Sequence, residues 1–172
     1  IVGESAWDYS GNNNGVSLSS DGSILAIGAS ENYGTLDDGS NGTHSGHVRV
    51  FQYSNGNWNQ LGSDIDGEGE WDRFGNSVSI SSSGNILAIG AHSPSNPNPE
   101  AGYAKIYEYE NNSWNQIGNS ITGDIDEFFG YKLSLSGNGN VLAVGASYSS
   151  VNGTNSGNVK VYQFLNDDWI QI

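Results

Sequence analysis

The segment VSLSSDGSILAIGA, residues 16–29, occurs three times in this chain with few substitutions. It returns as VSISSSGNILAIGA at residues 78–91 and as LSLSGNGNVLAVGA at residues 133–146. The copies begin 62 and 55 residues apart, a spacing typical of one supersecondary unit in a repeat protein. A second recurrent block follows each copy, and the three blocks are GHVRVFQYSNGNWNQL (46–61), GYAKIYEYENNSWNQI (102–117) and GNVKVYQFLNDDWIQI (157–172).

Each unit predicts four short strands. In the first unit, Val16–Ser19 and Ile24–Ala29 are apolar or alternating, and Asp21-Gly22 between them is typical of a two-residue hairpin turn. Val48–Tyr53 alternates as a third strand, and a fourth follows a further Asn-Gly turn. Repeated four-stranded units are the signature of a β-propeller. We therefore expect an all-β chain of three four-stranded antiparallel meander blades, as a partial propeller or half of a six-bladed assembly, with blades at residues 1–62, 63–118 and 119–172.

Composition excludes several classes of protein. The 172 residues include 19 acidic and 5 basic side chains, for a net charge of -14, and no cysteine. A nucleic-acid-binding protein needs a basic face, which this chain lacks. Disulfides and thiolate metal sites are excluded, and no apolar run approaches the ~20 residues that span a membrane. We expect no nucleic-acid partner, no membrane insertion and no cofactor other than weakly bound calcium.

The residues around the repeated block resemble a known family. Phe74-Gly75 before the first strand and Gly90-Ala91 at the end of the second resemble the FG-GAP repeat of integrin α-subunit propellers, and Phe129-Gly130 with Gly145-Ala146 repeats the pattern. The first unit departs, with Ser10-Gly11. The resemblance is closer to the variant found in large secreted and cell-surface proteins. It implies an extracellular or cell-surface location and a rigid platform for other protein chains or further repeats.

Calcium loops accompany many integrin-like repeats, but the equivalent hairpins here are too short to form them. Only Ser20–Ser23 contains a carboxylate. Oxygen ligands for a hard cation could come instead from the connections between units. A solvated acidic connection is the alternative. The weak calcium candidates are Asp64, Asp66, Glu68, Asp124 and Asp126.

The longest connections are expected on one face of the blades. Strand direction alternates in a meander, so the loops between strands two and three share a face with the connections between units. Trp7 and Trp71 lie in those connections and are the candidate ligand contacts, suited to stacking on a sugar. Two sets of residues recur at one position per unit and are interpreted as structural: Trp58, Trp114 and Trp169 as packing residues, and Arg49, Lys105 and Lys160 as outward-facing side chains of the third strand.

Three sequons for N-glycosylation occur, and they begin at Asn41, Asn111 and Asn152. Asn41 and Asn152 occupy the same predicted loop in two units. These are candidate glycan sites if the source has a secretory pathway.

Catalytic motifs are not apparent. His44, His47 and His92 are the only histidines, and no serine lies in a nucleophile elbow. The sequence therefore predicts a non-enzymatic extracellular propeller segment that acts as a structural or adhesive interaction platform within a larger surface assembly or filament. The alternatives are a lectin-like carbohydrate-binding propeller and, third, a fragment of a propeller hydrolase or lyase.

Overall fold

The computed structural model describes residues 1–33, 44–92 and 101–172. These residues form strands and turns, and none of them belongs to a helix long and apolar enough to cross a membrane. The strands are β1 (Val16–Leu18), β2 (Ile24–Ala29), β3 (His47–Ser54), β4 (Asn57–Gln60), β5 (Ile65–Asp66), β6 (Ser77–Ile80), β7 (Ile86–Ala91), β8 (Tyr103–Glu110), β9 (Ser113–Gln116), β10 (Ile121–Thr122), β11 (Phe129–Leu135), β12 (Val141–Ala146), β13 (Asn158–Leu165) and β14 (Asp168–Gln171).

The strands form three antiparallel sheets, which confirms the predicted all-β fold of three four-stranded blades. Strand order is β1-β2-β3-β4 in the first blade, β6-β7-β8-β9 in the second and β11-β12-β13-β14 in the third. In the first blade, Ala26 pairs with both Ser17 and Val50, and Tyr53 pairs with Trp58. The first two sheets also gain a two-residue strand from the next connection, because β5 pairs with β3 and β10 with β8.

Apolar side chains fill the space between successive blades. Ile24 and Val48 of the first blade pack with Val78 and Ile89 of the second, and a similar cluster joins the second blade to the third. Trp114 and Trp169 pack at these junctions as predicted, and Trp169 is buried, whereas Trp58 contacts Tyr53 of its own blade. Burial of each blade's apolar face against its neighbour is the main stabilising contribution.

Glycine allows the backbones of adjacent blades to touch. A Cβ at Gly28 in β2 would overlap the carbonyl oxygen of Gly75, and a Cβ at Gly90 in β7 would overlap that of Gly130. The glycine of each Phe-Gly pair therefore contacts the glycine of the Gly-Ala pair in the preceding blade. The connection into each blade lies on the second strand of the blade before it, and only glycine leaves room for that contact.

A buried carboxylate accepts backbone hydrogen bonds in the connection that leads into each blade. Asp8 accepts backbone hydrogen bonds from Glu4 and Ser5 at 3.0 and 2.7 Å, and Asp72 accepts one from Gly69 at 2.9 Å. Glu127 holds the same place in the third blade. These carboxylates satisfy backbone donors that the turns would otherwise leave unpaired.

The recurrent basic residues of the third strands do not face outward, and that expectation was wrong. Arg49 and Lys105 are buried because acidic residues of the preceding connection reach them. Arg49 Nη1 lies 3.0 Å from Glu4, Lys105 pairs with Glu68, and Lys160 Nζ lies 2.9 Å from Glu127. Their structural role is thus supported, but as ion pairs that fasten each connection to its own blade.

Candidate functional site

An ionic cluster forms where the loop after β2 meets the connection into the second blade. Glu31 and His44 belong to that loop, and Arg73 belongs to the connection. Glu31 lies between the His44 imidazole and the Arg73 guanidinium, because its Oε2 is 2.9 Å from His44 Nδ1 and its Oε1 is 3.2 Å from Arg73 Nε. The backbone N–H of Arg73 donates to the His44 carbonyl at 3.1 Å, which fixes the spacing of the two segments.

Aromatic rings border this cluster on one side. The ring centroids of His44 and Trp71 lie 4.4 Å apart with planes tilted by 34°. Tyr33 also approaches the imidazole, with ring centroids 5.1 Å apart. Trp71 remains exposed, so it combines an apolar face with adjacent charged groups. Such a combination is typical of sites that hold a small polar ligand.

His92 borders the cluster from the second blade. It is buried, and its Nδ1 has no hydrogen-bond partner among the residues that the structure describes. Burial, helped by the positive charge of Arg73, lowers the pKa of His92 to about 4. The imidazole is therefore neutral at pH 7. We call Glu31, His44, Trp71, Arg73 and His92 together the junction site.

The junction site departs from the repeat in its chemistry but not in its backbone. Tyr9 and Phe128 occupy the position of Arg73 in the other two connections, and all three residues have a positive φ, of 50°, 54° and 51° in chain order. Tyr148 and Asn155 replace Glu31 and His44 in the third blade. Glu31, His44 and Arg73 contact one another, and all three differ from their equivalents in the third blade.

The neighbouring junction, between the second and third blades, is aromatic instead. Phe128 lies between His92 and Tyr148, with ring centroids 6.2 and 4.6 Å away. Tyr131 meets His92 edge to face at 5.3 Å. His92 thus lies between the charged groups of the junction site and the aromatic rings of the next junction.

Of the two predicted ligand contacts, only Trp71 belongs to the junction site. Trp7 contacts Tyr9 in the connection before the first blade, with ring centroids 6.3 Å apart, and is exposed. The sequence indicates no role for His44 or His92 and does not distinguish Arg73. The signal that could have found the site is Arg73 itself, since it replaces an aromatic residue.

The five calcium candidates do not converge. Glu68 pairs with Lys105, and Asp124 lies 3.3 Å from Lys160. Burial raises the pKa of Asp66, with His47 opposing the shift. Asp126 is exposed. The calcium site stays a prediction.

Asp64 has two partners that the sequence did not suggest. Potential ligand atoms of Asp64, Glu4 and His47 lie within 4.8 Å of one another. Glu4 is already paired with the Arg49 guanidinium at 3.0 Å, and a cation entering the group would have to compete with that charge.

Two of the three sequon asparagines can be located. Asn111 is exposed in the turn between β8 and β9, and Asn152 is exposed in the loop between β12 and β13. Asn41 lies outside the described residues. Exposure of the first two is compatible with attached glycans, which remain a prediction.

The fold is similar to that of larger solved proteins. A candidate 6-phosphogluconolactonase from Bacteroides fragilis matches 90% of this chain with a TM-score of 0.58 and 13% identity. Another from Bacteroides uniformis matches 91% with a TM-score of 0.54 and 16% identity, and a hypothetical selenium-binding protein from Sulfolobus tokodaii matches 91% with a TM-score of 0.57 and 13% identity. The chain spans 36%, 38% and 39% of these three proteins, respectively. No family model and no curated protein matches it.

These similarities overturn the predicted function. Two of the three proteins are named as enzymes, and none of the three is named for adhesion or a surface filament. The prediction of a non-enzymatic, adhesive platform was therefore wrong, and so was the prediction that the chain has no enzymatic role. At 13–16% identity, the similarity shows that this chain has a propeller-type fold. The FG-GAP resemblance and the extracellular location stay predictions.

Proposed function

We propose that this chain forms part of a propeller hydrolase that opens a small, anionic, sugar-derived lactone at the junction site. The names of two structural neighbours support a lactonase, and the groups of the site suit that reaction. The observation that carries the proposal is the Glu31 carboxylate between His44 and Arg73, at a place where the third blade has Tyr148 and Asn155 instead.

His44 is the proposed general base. The Glu31 carboxylate lies 2.9 Å from His44 Nδ1 without the alignment of a hydrogen bond, so it would act by its charge, which favours the protonated imidazole after the other ring nitrogen has taken a proton from water. In lactone hydrolysis, that water oxygen bonds to the carbonyl carbon and the ring C–O bond breaks. The proton held by His44 then passes to the departing alkoxide, so the imidazole returns to its starting state.

Arg73 and Trp71 would bind the substrate rather than react with it. Guanidinium groups recognise phosphate and carboxylate through paired N–H donors. The exposed Trp71 ring offers an apolar surface for the sugar carbons. Neutral His92 would offer a hydrogen bond at the edge of the site without adding charge.

The test is the hydrolysis of 6-phosphogluconolactone and of the uncharged gluconolactone, followed by acid release above the spontaneous rate. We expect His44→Asn to lower kcat at least ~100-fold, the usual contribution of a general base. Asparagine occupies the equivalent position, Asn155, and tolerates the positive φ of 52° at His44.

Arg73→Asn should raise KM for the phosphorylated lactone much more than for the uncharged one. Lys132→Gln removes an exposed positive charge of the third blade and serves as the control. A wild-type rate equal to the spontaneous rate, or full activity in the His44 variant, would reject the proposal.

A further inference from the structure

A buried imidazole faces a group of carboxylates at the first blade. His47 in β3 is 2% exposed, and one of its ring nitrogens lies within 4.8 Å of carboxylate oxygens of Glu4 and Asp64. Asp66 pairs directly with His47 between β5 and β3, which places both side chains on the same face of the sheet. We call Glu4, His47, Asp64 and Asp66 the first-blade cluster.

The first-blade cluster departs from the repeat. Tyr103 holds the position of His47 in the second blade, where Ser120 and Thr122 replace the two aspartates. Glu4, by contrast, has an acidic equivalent in each of the other two connections. The second blade thus has one carboxylate where the first blade has three carboxylates and an imidazole.

The imidazole of His47 is buried without a partner for one of its nitrogens. Its Nε2 has no hydrogen bond among the residues that the structure describes, whereas the equivalent Tyr103 donates to Asp72 at 2.8 Å. Asp8 is the equivalent of Asp72, and its buried Oδ1 also has no partner within the described ranges. An imidazole that binds a metal through one nitrogen usually holds its other N–H on a carboxylate, a role open to Asp8.

The spacing of the first-blade cluster suits a metal ion. Zinc lies ~2.0–2.2 Å from nitrogen and carboxylate ligands, so two ligand atoms on one ion are roughly 3.3–4 Å apart. His47 Nδ1 and Glu4 Oε2 are 3.9 Å apart, which is too far for a hydrogen bond between them. Asp64 Oδ1 accepts a hydrogen bond from Gln60 Nε2 at 2.6 Å, and this bond orients the carboxylate.

Arg49 restrains Glu4 and still leaves the cluster negatively charged. Its Nη1 donates to Glu4 Oε1 and its Nη2 donates to the Val2 carbonyl, both at 3.0 Å. The other oxygen of Glu4, Oε2, is the one that approaches His47, so the two oxygens have separate partners. Three carboxylates and one guanidinium sum to a charge of -2, which a divalent cation neutralises.

We infer that the first-blade cluster binds one zinc-type divalent ion, with Glu4, His47 and Asp64 as ligands and Asp66 as a neighbouring charge. An imidazole among carboxylates favours zinc over calcium or magnesium, because the latter two ions take oxygen ligands. The ion would join the connection that precedes the first blade to the one that follows it. The inference does not depend on the proposed hydrolase activity.

The experiment is calorimetric titration of zinc chloride into the metal-free 172-residue chain at pH 7, repeated with calcium chloride. His47→Tyr and Asp64→Ser introduce the side chains that the second blade has at the same positions, so both variants should fold. Asp126→Asn is the control, since it removes a carboxylate that is exposed and lies outside the cluster. Circular dichroism checks each fold, and thermal melting with and without zinc gives a second measure of binding.

We expect wild type and the Asp126 variant to take up one zinc ion per chain and to melt at a higher temperature in its presence. His47→Tyr should weaken zinc binding at least ~100-fold and Asp64→Ser at least ~10-fold, since each removes a ligand. Calcium should bind wild type much more weakly than zinc. A folded wild type that binds no zinc, zinc binding that is unchanged in His47→Tyr, or calcium binding as tight as that of zinc would each overturn the inference.

Discussion

Trp169 donates its indole N–H to the carbonyl oxygen of Ile117, 3.2 Å away, and so ties the outermost strand of the third blade to the end of the second. Trp114 makes the same bond to Leu61. Both rings also pack in the apolar clusters between the blades, so each tryptophan joins neighbouring blades by a hydrogen bond as well as by apolar contact.

Trp114→Phe should lower the free energy of unfolding by about 1–3 kcal/mol, because the ring is largely kept while the Leu61 carbonyl loses its donor. Urea unfolding followed by circular dichroism measures the change. Trp7→Phe is the matched control, since Trp7 is exposed and lies outside the inner junctions. Equal stability of the two variants would remove the proposed role of the indole bond.

Gly90→Ala and Gly145→Ala compare the same repeat position with and without a covering blade. The new methyl group at Gly90 would overlap the Gly130 carbonyl oxygen, whereas at Gly145 it has space. We expect Gly90→Ala to cost about 1–3 kcal/mol or more, as overpacking does. Gly145→Ala should change the stability of the single chain by less than about 1 kcal/mol. Similar losses in both, measured in dilute protein, would contradict the close backbone contact at the inner junction.

Glu127 should make stability depend on acid pH. Burial alone would raise the pKa of Glu127, but hydrogen bonds from Lys160 and Ser149 outweigh it and lower the pKa below the usual 4.5. A lowered carboxyl pKa contributes stability above the unfolded value, and this contribution is lost as pH falls through the folded value.

The urea midpoint of wild type should therefore fall more steeply between pH 5 and pH 3 than that of Glu127→Gln. Asp126→Asn removes the same charge from an exposed neighbour and should retain the wild-type slope. A Glu127 variant with an unchanged slope would show that the ion pair is absent in solution.

His92 should titrate well below 6.5, the ordinary pKa of an imidazole, in an NMR pH series of the imidazole protons. Burial first, and the charge of Arg73 second, lower its pKa to about 4. Because the folded value lies below the unfolded 6.5, protonation favours unfolding, and stability declines as pH falls from about 6.5 towards 4.

Arg73→Asn should raise the pKa of His92 while leaving it below 6.5, since burial remains. Lys132→Gln should leave it unchanged. A His92 resonance that titrates near 6.5 in wild type would mean that the ring is not buried in solution.

The repeated segment made the blades predictable because each strand and turn is specified locally. Asp21-Gly22 fixes the hairpin between β1 and β2, and the register of that pair follows from it. The recurrence of Trp114 and Trp169 indicated packing, since a side chain that recurs with the repeat meets the same surroundings in each copy.

The junction site was not predictable in the same way. Glu31 and Arg73 come from different segments, and only the folded connection brings them within 3.2 Å. Lys105 was misjudged for a similar reason, because its partner Glu68 reaches it from the preceding connection and supplies the charge that allows burial. Interactions distant in sequence leave no periodic signal.

The shared positive φ of Tyr9, Arg73 and Phe128 has a consequence for how such an array can acquire new chemistry. The surrounding fold sets this positive φ whichever of the three side chains is present, so exchanging one for another leaves the backbone strain nearly unchanged. One position in each connection is thereby free to vary in charge, size or polarity while the blades stay in place. Replacing this residue by arginine, phenylalanine or tyrosine changes the side chain that the junction presents and leaves the arrangement of the blades as it was.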